Sequence, residues 1–180
     1  QGQDLVYVSM ASGISGTYQA ALLAKQELEE EFPDRCVCII DSKGCGFGNG
    51  MLVLRAAELS RQGLSAREAG QILEEEVPHI CQYFTVNDLN FLKRSGRVSG
   101  ATAAIGTVLN IKPILYGSAD GHIVACGKVR GRKKAIDTLV ETYAKKQVDA
   151  ANHLVAISHG DCLEDAQLLA EKVRAVAAPK

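Results

Sequence analysis

The chain has 180 residues, 47% of them hydrophobic and 23% charged, with a net charge of −1. That balance supports a buried core in one large or two small domains and excludes a disordered chain. A charge near zero supplies no field for nucleic acid, and no apolar run has the length of a membrane span or the pattern of a signal peptide.

The first element is a short apolar run, Leu5-Val6-Tyr7-Val8, which predicts a buried strand. Apolar residues at helical spacing (Ala20, Ala21, Leu22, Ala24, Leu28) predict a helix that ends near Phe32-Pro33. Between them lies Ser9-Met10-Ala11-Ser12-Gly13-Ile14-Ser15-Gly16-Thr17-Tyr18, rich in hydroxyls and glycine. A strand-to-helix junction presents unpaired N–H groups at the positive end of the helix dipole, and small residues let an anion come close. A carboxylate or phosphate site is one reading of this turn. A helix N-cap with a tight turn is the other, since it uses the same residue types. Cys36-Val37-Cys38-Ile39-Ile40 predicts a second buried strand, closed by Asp41-Ser42, so that strand, helix and strand form a parallel βαβ unit. Gly44, Gly46, Gly48 and Gly50 alternate too tightly for a dinucleotide fingerprint and lack the Gly-Lys-Ser/Thr ending of a P-loop. They read as a flexible bend. A helix over 51–59 is stopped by Arg61-Gln62-Gly63. A third helix opens on a capping box of Ser65 and Glu68, carries Ala69, Ile72, Leu73 and Val77 on one face, and ends at Pro78.

The middle of the chain predicts a strand over 81–86 and a short helix over 88–92, followed by Lys93-Arg94-Ser95-Gly96-Arg97-Val98-Ser99. Residues 101–109 form a charge-free, small-residue segment that predicts a helix buried on most sides. Strands over 111–116 and 123–129 flank Ser118-Ala119-Asp120-Gly121, a hairpin signal. Lys128-Val129-Arg130-Gly131-Arg132-Lys133-Lys134 then leads into a helix over 135–146. Cations at a helix N-terminus oppose its dipole, which points to an anionic partner or ligand; a solvated basic turn is the alternative. A strand over 153–158, an N-cap at Asp161 and a helix over 163–176 complete the chain. Six cysteines (Cys36, Cys38, Cys45, Cys81, Cys126, Cys162) show no C-x-x-C pair and read as reduced, mostly buried thiols of a cytoplasmic protein. The expected architecture is α/β in two lobes. Residues 1–78 are part of an N-terminal lobe that carries the anion-binding turn. Residues 79–180 form a second lobe whose C-terminal end returns toward the first.

The turn from Ser12 to Tyr18, Asp41-Ser42 with its glycines, and Asp88-Leu89 through Gly96-Arg97 occur in order, followed by Asn110-Ile111-Lys112-Pro113, Lys128-Val129-Arg130-Gly131 and His159-Gly160. Across nearly the whole chain this order resembles the DegV family, bacterial fatty-acid-binding proteins that act as the carrier subunit of fatty acid kinase. The resemblance implies a DegV-like fold of two α/β lobes with a fatty acid in an apolar tunnel between them. It implies a carboxylate held by hydroxyls, among them a serine of the turn, and a partner kinase subunit that converts that carboxylate to an acyl phosphate. It implies no cofactor beyond the bound long-chain fatty acid, no metal and no catalytic residue in the carrier itself. Where the family doubles a serine this chain has Ala11-Ser12, so Ser12 is the favoured contact, with Ser15, Gly16 and Thr17 beside it. The family's opening Asp-Ser/Thr strand, its threonine-bearing loop and its closing Gly-x-His-x-Gly-Pro-Gly segment have no counterpart here. The chain therefore reads as an internal piece of a family member with the first lobe incomplete, and His159 is not given the role of that closing histidine.

An acyl chain needs a long apolar cavity rather than reactive groups. Candidates for its lining are Phe84, Phe91, Ile105, Val108, Ile114 and Leu115, with plain core packing as the alternative for each. Arg94, Arg97 and Arg130 are candidates for contact with a phosphate or a partner kinase, because guanidinium forks bind phosphate bidentately; an internal ion pair is the alternative. A competing class is an independent serine-dependent hydrolase or transferase. Ser12 or Ser15 would then need a histidine base, and Gly13-Ile14-Ser15-Gly16-Thr17 departs from the G-x-S-x-G elbow at Thr17. Nucleic-acid binding through 128–134 lacks nearby stacking aromatics and net positive charge. Stable membrane insertion is not expected.

Overall fold

The computed structural model describes residues 2–98 and 110–177. The chain divides into two compact units, one made of residues 1–82 with 117–122, the other of 83–116 with 123–180.

The first unit contains β1 (Leu5–Ser9), α1 (Thr17–Glu31), β2 (Val37–Asp41), α2 (Phe47–Arg61) and α3 (Ala66–Glu76), closed by a 3₁₀ turn at Val77–His79. β1 and β2 are parallel, with Leu5 opposite Val37 and Ser9 opposite Asp41. Both strands therefore end level, and the loops that leave them meet. Strand side chains alternate between faces. Val6, Val8 and Ile40 pack with Leu52, Leu59, Ala69 and Leu73 beneath α2 and α3. On the other face α1 lies mainly against β2, and Leu5 and Tyr7 of β1 stay exposed. The expectation of a fully buried first strand thus holds for one face only, because among the described residues β1 has a single sheet neighbour and little helix above it.

Two glycine features position this unit. α2 begins at Phe47, earlier than the spacing predicts, and its cap, Gly46, has φ 54° and ψ −127°, a region that side chains with a Cβ avoid. The glycine run is thus the start of a helix rather than a flexible bend. Gly44 and Gly48 make room for the Gln82 side chain, with which a Cβ at either position would collide. Gln82 in turn accepts a hydrogen bond from the Cys45 N–H at 3.1 Å. α3 carries the expected capping box: Ser65 Oγ accepts from the Glu68 N–H at 3.3 Å, and the Ser65 N–H donates to Glu68 Oε2 at 2.8 Å.

The second unit contains β3 (Tyr83–Thr85), α4 (Leu89–Ser95), β4 (Ile111–Gly117), β5 (Ile123–Arg130), α5 (Arg132–Lys146), a 3₁₀ turn at Ala150–Asn152 and α6 (Leu163–Val176). The sheet order is β3-β4-β5, and antiparallel pairing sets Phe84 opposite Leu115 and Thr85 opposite Ile114. Ile114, Leu115, Ala135, Ile136, Val140 and Val173 are among the buried residues of this unit. Ion pairs from Arg132 to Asp165 (2.7 Å) and from Lys172 to Asp137 (2.8 Å) join α5 to α6. Asp88 caps α4 by accepting from the Asn90 N–H at 2.8 Å, and Gly96 ends it at φ 69°.

Three expectations change. Residues 153–158 form no strand, because they have no ladder partner among the described residues to take up their backbone groups. The residue that precedes α6 is Cys162, not Asp161, which sits at φ 54°; the Cys162 N–H is taken by His159 Nδ1 at 3.2 Å. The cysteines are half-buried or, at Cys81 and Cys126, exposed, rather than buried. The expected helix over 101–109 lies outside the described residues.

Candidate functional site: the turn after the first strand

The level strand ends bring two loops together. The Ala11 N–H donates to the Gly44 carbonyl (2.9 Å) and the Ser42 N–H to the Ser9 carbonyl (3.2 Å). The N–H groups of Ile14 and Ser15 both donate to the Ala11 carbonyl at 3.1 Å, which folds the turn tightly before α1. The hairpin tip belongs to the same unit and packs on this turn. A Cβ on Gly13 would lie 2.7 Å from the Gly121 carbonyl carbon and 2.9 Å from the Asp120 carbonyl oxygen. Gly121, at φ 82°, has the left-handed backbone the tip requires.

Ser12 is fixed from the second strand. Its N–H donates to Asp41 Oδ1 at 3.1 Å, and the Lys43 N–H donates to the same oxygen at 3.1 Å. Lys43 Nζ donates to Asp41 Oδ2 at 2.7 Å and to Ser12 Oγ at 3.3 Å. The Asp41 side chain is 9% exposed and that of Lys43 is 36% exposed. Burial pushes the Asp41 carboxyl up, but the hydrogen bonds from Lys43 and Ser12 together outweigh it and hold the group below the usual carboxylate range. Lys43 adopts φ 52°, a left-handed conformation uncommon outside glycine.

The donor inventory follows from these bonds. Ser12 Oγ accepts from Lys43, and the Ser12 side chain also contributes a hydrogen bond to the Asp41 carboxylate. Ser15 Oγ accepts from the Thr17 N–H at 3.2 Å and shares a hydrogen bond with Thr17 Oγ1 at 2.8 Å. That bond uses one of the two hydroxyl protons and leaves the other. Gly16 is exposed, and a Cβ there would meet nothing within 4 Å. The hydroxyls of Ser12, Ser15 and Thr17, the Lys43 ammonium and the N-terminal end of a 15-residue helix therefore lie on one turn and the loop beside it. The cap of α1 is Gly16, which makes no side-chain cap hydrogen bond; Ser15 Oγ takes up the Thr17 N–H instead. Lys43 escaped the sequence-level selection, although parallel strands of equal length place the residues after Asp41 beside the residues after Ser9.

The other candidates lie in the second unit. Arg94 lies in the last turn of α4, Arg97 follows the helix with Nη1 donating to the Ser95 carbonyl at 2.5 Å, and Arg130 ends β5; all three are exposed. In the basic run at the start of α5, Arg132 pairs with Asp165 and Lys134 with Glu141 at 3.0 Å, so internal ion pairs absorb two of its cations. Ile114 and Leu115 are fully buried in the middle strand, and Phe84 is half-buried opposite Leu115. The Phe91 side chain, Ile105 and Val108 lie outside what is described. Among the described residues no cluster of three His, Cys, Asp or Glu side chains is arranged to hold a metal, and no helix is long and apolar enough to cross a membrane.

Comparison with known proteins identifies the chain's relatives. A family profile described as "Uncharacterised protein, DegV family" matches residues 1–179. A DegV domain-containing protein of Clostridium perfringens is 40% identical over 174 residues, which cover 97% of this chain and 60% of that protein. A solved DegV family protein of Ruminococcus gnavus, refined with vaccenic acid, superposes with a TM-score of 0.89 at 26% identity, over 98% of this chain and 63% of its own. A solved fatty-acid-binding DegV family protein of Streptococcus agalactiae gives a TM-score of 0.81 at 32% identity, over 96% of this chain and 59% of its own. The chain thus spans about three-fifths of the length of these relatives. Its α/β fold is theirs, and the chain belongs to the DegV family.

Proposed function

We propose that this chain supplies part of the head-group site of a fatty-acid carrier. The ligand is a long-chain fatty acid, its carboxylate seated on the Ser12 turn and its acyl chain in an apolar tunnel. The observation that carries this reading is the state of Ser12. Its amide is held by Asp41 and its oxygen accepts from the Lys43 ammonium, so its hydroxyl is fixed in place beside a cation. That is the arrangement a carboxylate needs: charge-assisted donors already in place, with no reorganisation on binding. Relatives that bind fatty acids support the ligand class. Ser15, Gly16 and Thr17 supply the second donor set. Phe84, Phe91, Ile105, Val108, Ile114 and Leu115 line the acyl path.

The carrier presents the carboxylate to a separate kinase subunit for acyl-phosphate formation. Arg94, Arg97 and Arg130 meet that partner or the new phosphate, and the carrier works in the cytoplasm without a cofactor of its own. The test is mass spectrometry of organic extracts from the purified full-length protein. A stoichiometric fatty acid, reduced at least tenfold in occupancy by Ser12→Ala, is expected. Folded protein that carries and takes up no fatty acid would overturn the reading, and labelling of Ser12 by an activated-serine probe would then favour a serine-dependent hydrolase or transferase. Arg97→Ala is expected to slow acyl-phosphate formation with lipid binding unchanged; the opposite pattern removes Arg97 from the partner surface.

A further inference from the structure

The first unit holds a second cluster of defined geometry that the head-group site does not use. Cys36 directly precedes β2 and Cys38 lies within it, two residues apart and so on one face of the extended chain, the face packed on α3. Their sulfurs stand 3.6 Å apart, and both thiols are free and half-buried. Cys38 is set by Gly70 of α3, where a Cβ would come within 2.9 Å of the Cys38 sulfur. A groove of about 380 Å³ opens beside Cys38, lined by Leu22, Lys25, Arg67, Gln71 and Glu74 among others.

We propose that Cys36 and Cys38 form a bidentate site for a trivalent organoarsenical, a soft electrophile whose coordination is completed by two sulfurs. Two sulfurs bonded to one tetrahedral centre at about 2.3 Å lie roughly 3.8 Å apart. A pyramidal arsenic centre has similar bonds and a narrower angle, so it spans somewhat less. The observed 3.6 Å matches this span without movement of the backbone. Zinc fits poorly, because its sites draw three or four protein ligands, and among the described residues no such set converges. A disulfide also fits poorly. It needs Cβ atoms about 3.8 Å apart, whereas side chains two apart on a strand stand about 6.6 Å apart. Closing it would pull Cys38 out of its pairing with Val6.

The reaction is a condensation without redox change. Two As–S bonds form, two As–OH bonds break, and the two thiol protons leave with the hydroxyls as two waters. Burial, together with the hydrogen bond to Cys36, pushes the Cys38 thiol up to about 11. That disfavours ligands that require a standing thiolate but not a condensation in which the proton departs with the leaving group. The organic substituent lies in the adjoining groove.

The site is independent of fatty-acid binding, and so is its test. The full-length protein is treated with phenylarsine oxide in the presence of excess monothiol, and adducts are read by intact-protein mass and peptide mapping. One adduct per chain is expected, bridging Cys36 and Cys38, stable to the monothiol and released by dimercaptopropanol. Cys36→Ser and Cys38→Ser should each lose it, with at least a hundredfold weaker retention. An adduct that persists in either serine variant overturns the proposal, as does the absence of any adduct on the folded wild-type protein. Mapping on the wild type decides the matter if a variant fails to fold: an adduct on Cys45, Cys81, Cys126 or Cys162 refutes the site.

Discussion

The Lys43 ammonium is the feature of the head-group corner most open to a quantitative test, and Lys43→Gln isolates its charge. Glutamine keeps a polar side chain with N–H donors, while the charge that balances Asp41 disappears. A ligand carboxylate bonded to Ser12 Oγ would lie within about 6 Å of Lys43 Nζ, adding a hydrogen bond of roughly 2.7 Å to the observed 3.3 Å. At that separation two unit charges interact by about 2.8 kcal/mol at an effective dielectric of 20 and by about 0.7 kcal/mol in water. With the Lys43 side chain 36% exposed, an intermediate loss of about 1–2 kcal/mol is expected, or roughly a 5- to 30-fold rise in Kd. The assay is equilibrium binding of a fluorescent long-chain fatty acid at several salt concentrations. Wild-type affinity should fall as ionic strength rises, because the charge is partly exposed, and the variant should show a flatter dependence. A variant with unchanged melting temperature and a change in Kd of less than twofold would refute the electrostatic role of Lys43.

Two further outcomes concern the frame around the turn. Gly13→Ala places a Cβ within 2.7–2.9 Å of backbone atoms at Asp120 and Gly121, which cannot swing aside as a side chain can, so a loss of about 1–3 kcal/mol is expected in denaturant unfolding. An unchanged midpoint would show that the hairpin tip does not bear on the turn. Asp41→Asn tests the carboxylate that organises both loops, with an expected loss of about 1–3 kcal/mol at neutral pH. Because the folded-state pKa of Asp41 is depressed, its contribution is complete above the unfolded value of about 3.9 and is lost as pH falls through the lower folded value. The stability difference between wild type and variant should therefore be flat at neutral pH and close in acid. A gap that stays constant to the acid limit would show that the charge is not what stabilises the loops.

Local signals in the chain determined much of the first unit. The apolar runs before Ser9 and Asp41, the Ser65–Glu68 capping box and the stop at Pro78 each act within a few residues, so the parallel βαβ unit was legible without a structure. The Asp-Gly hairpin was legible for the same reason, since the left-handed backbone at Gly121 is a demand of the turn itself. The Ser12 turn was recognisable as a strand-to-helix junction from its composition alone.

Tertiary structure decided what those local signals leave open. Which atoms of the turn are engaged depended on Asp41 and Lys43, about thirty residues away and brought level only by the strand register. The hairpin tip's place against Gly13 was equally invisible, because a glycine forced by a non-local backbone contact looks the same in sequence as one forced by φ. The failed strand over 153–158 has the same origin. Apolar alternation states that a segment can pair, but whether a partner lies alongside is a property of the whole fold. Hydrogen-bond partners and cross-chain packing are long-range quantities, and only the folded chain assigns them.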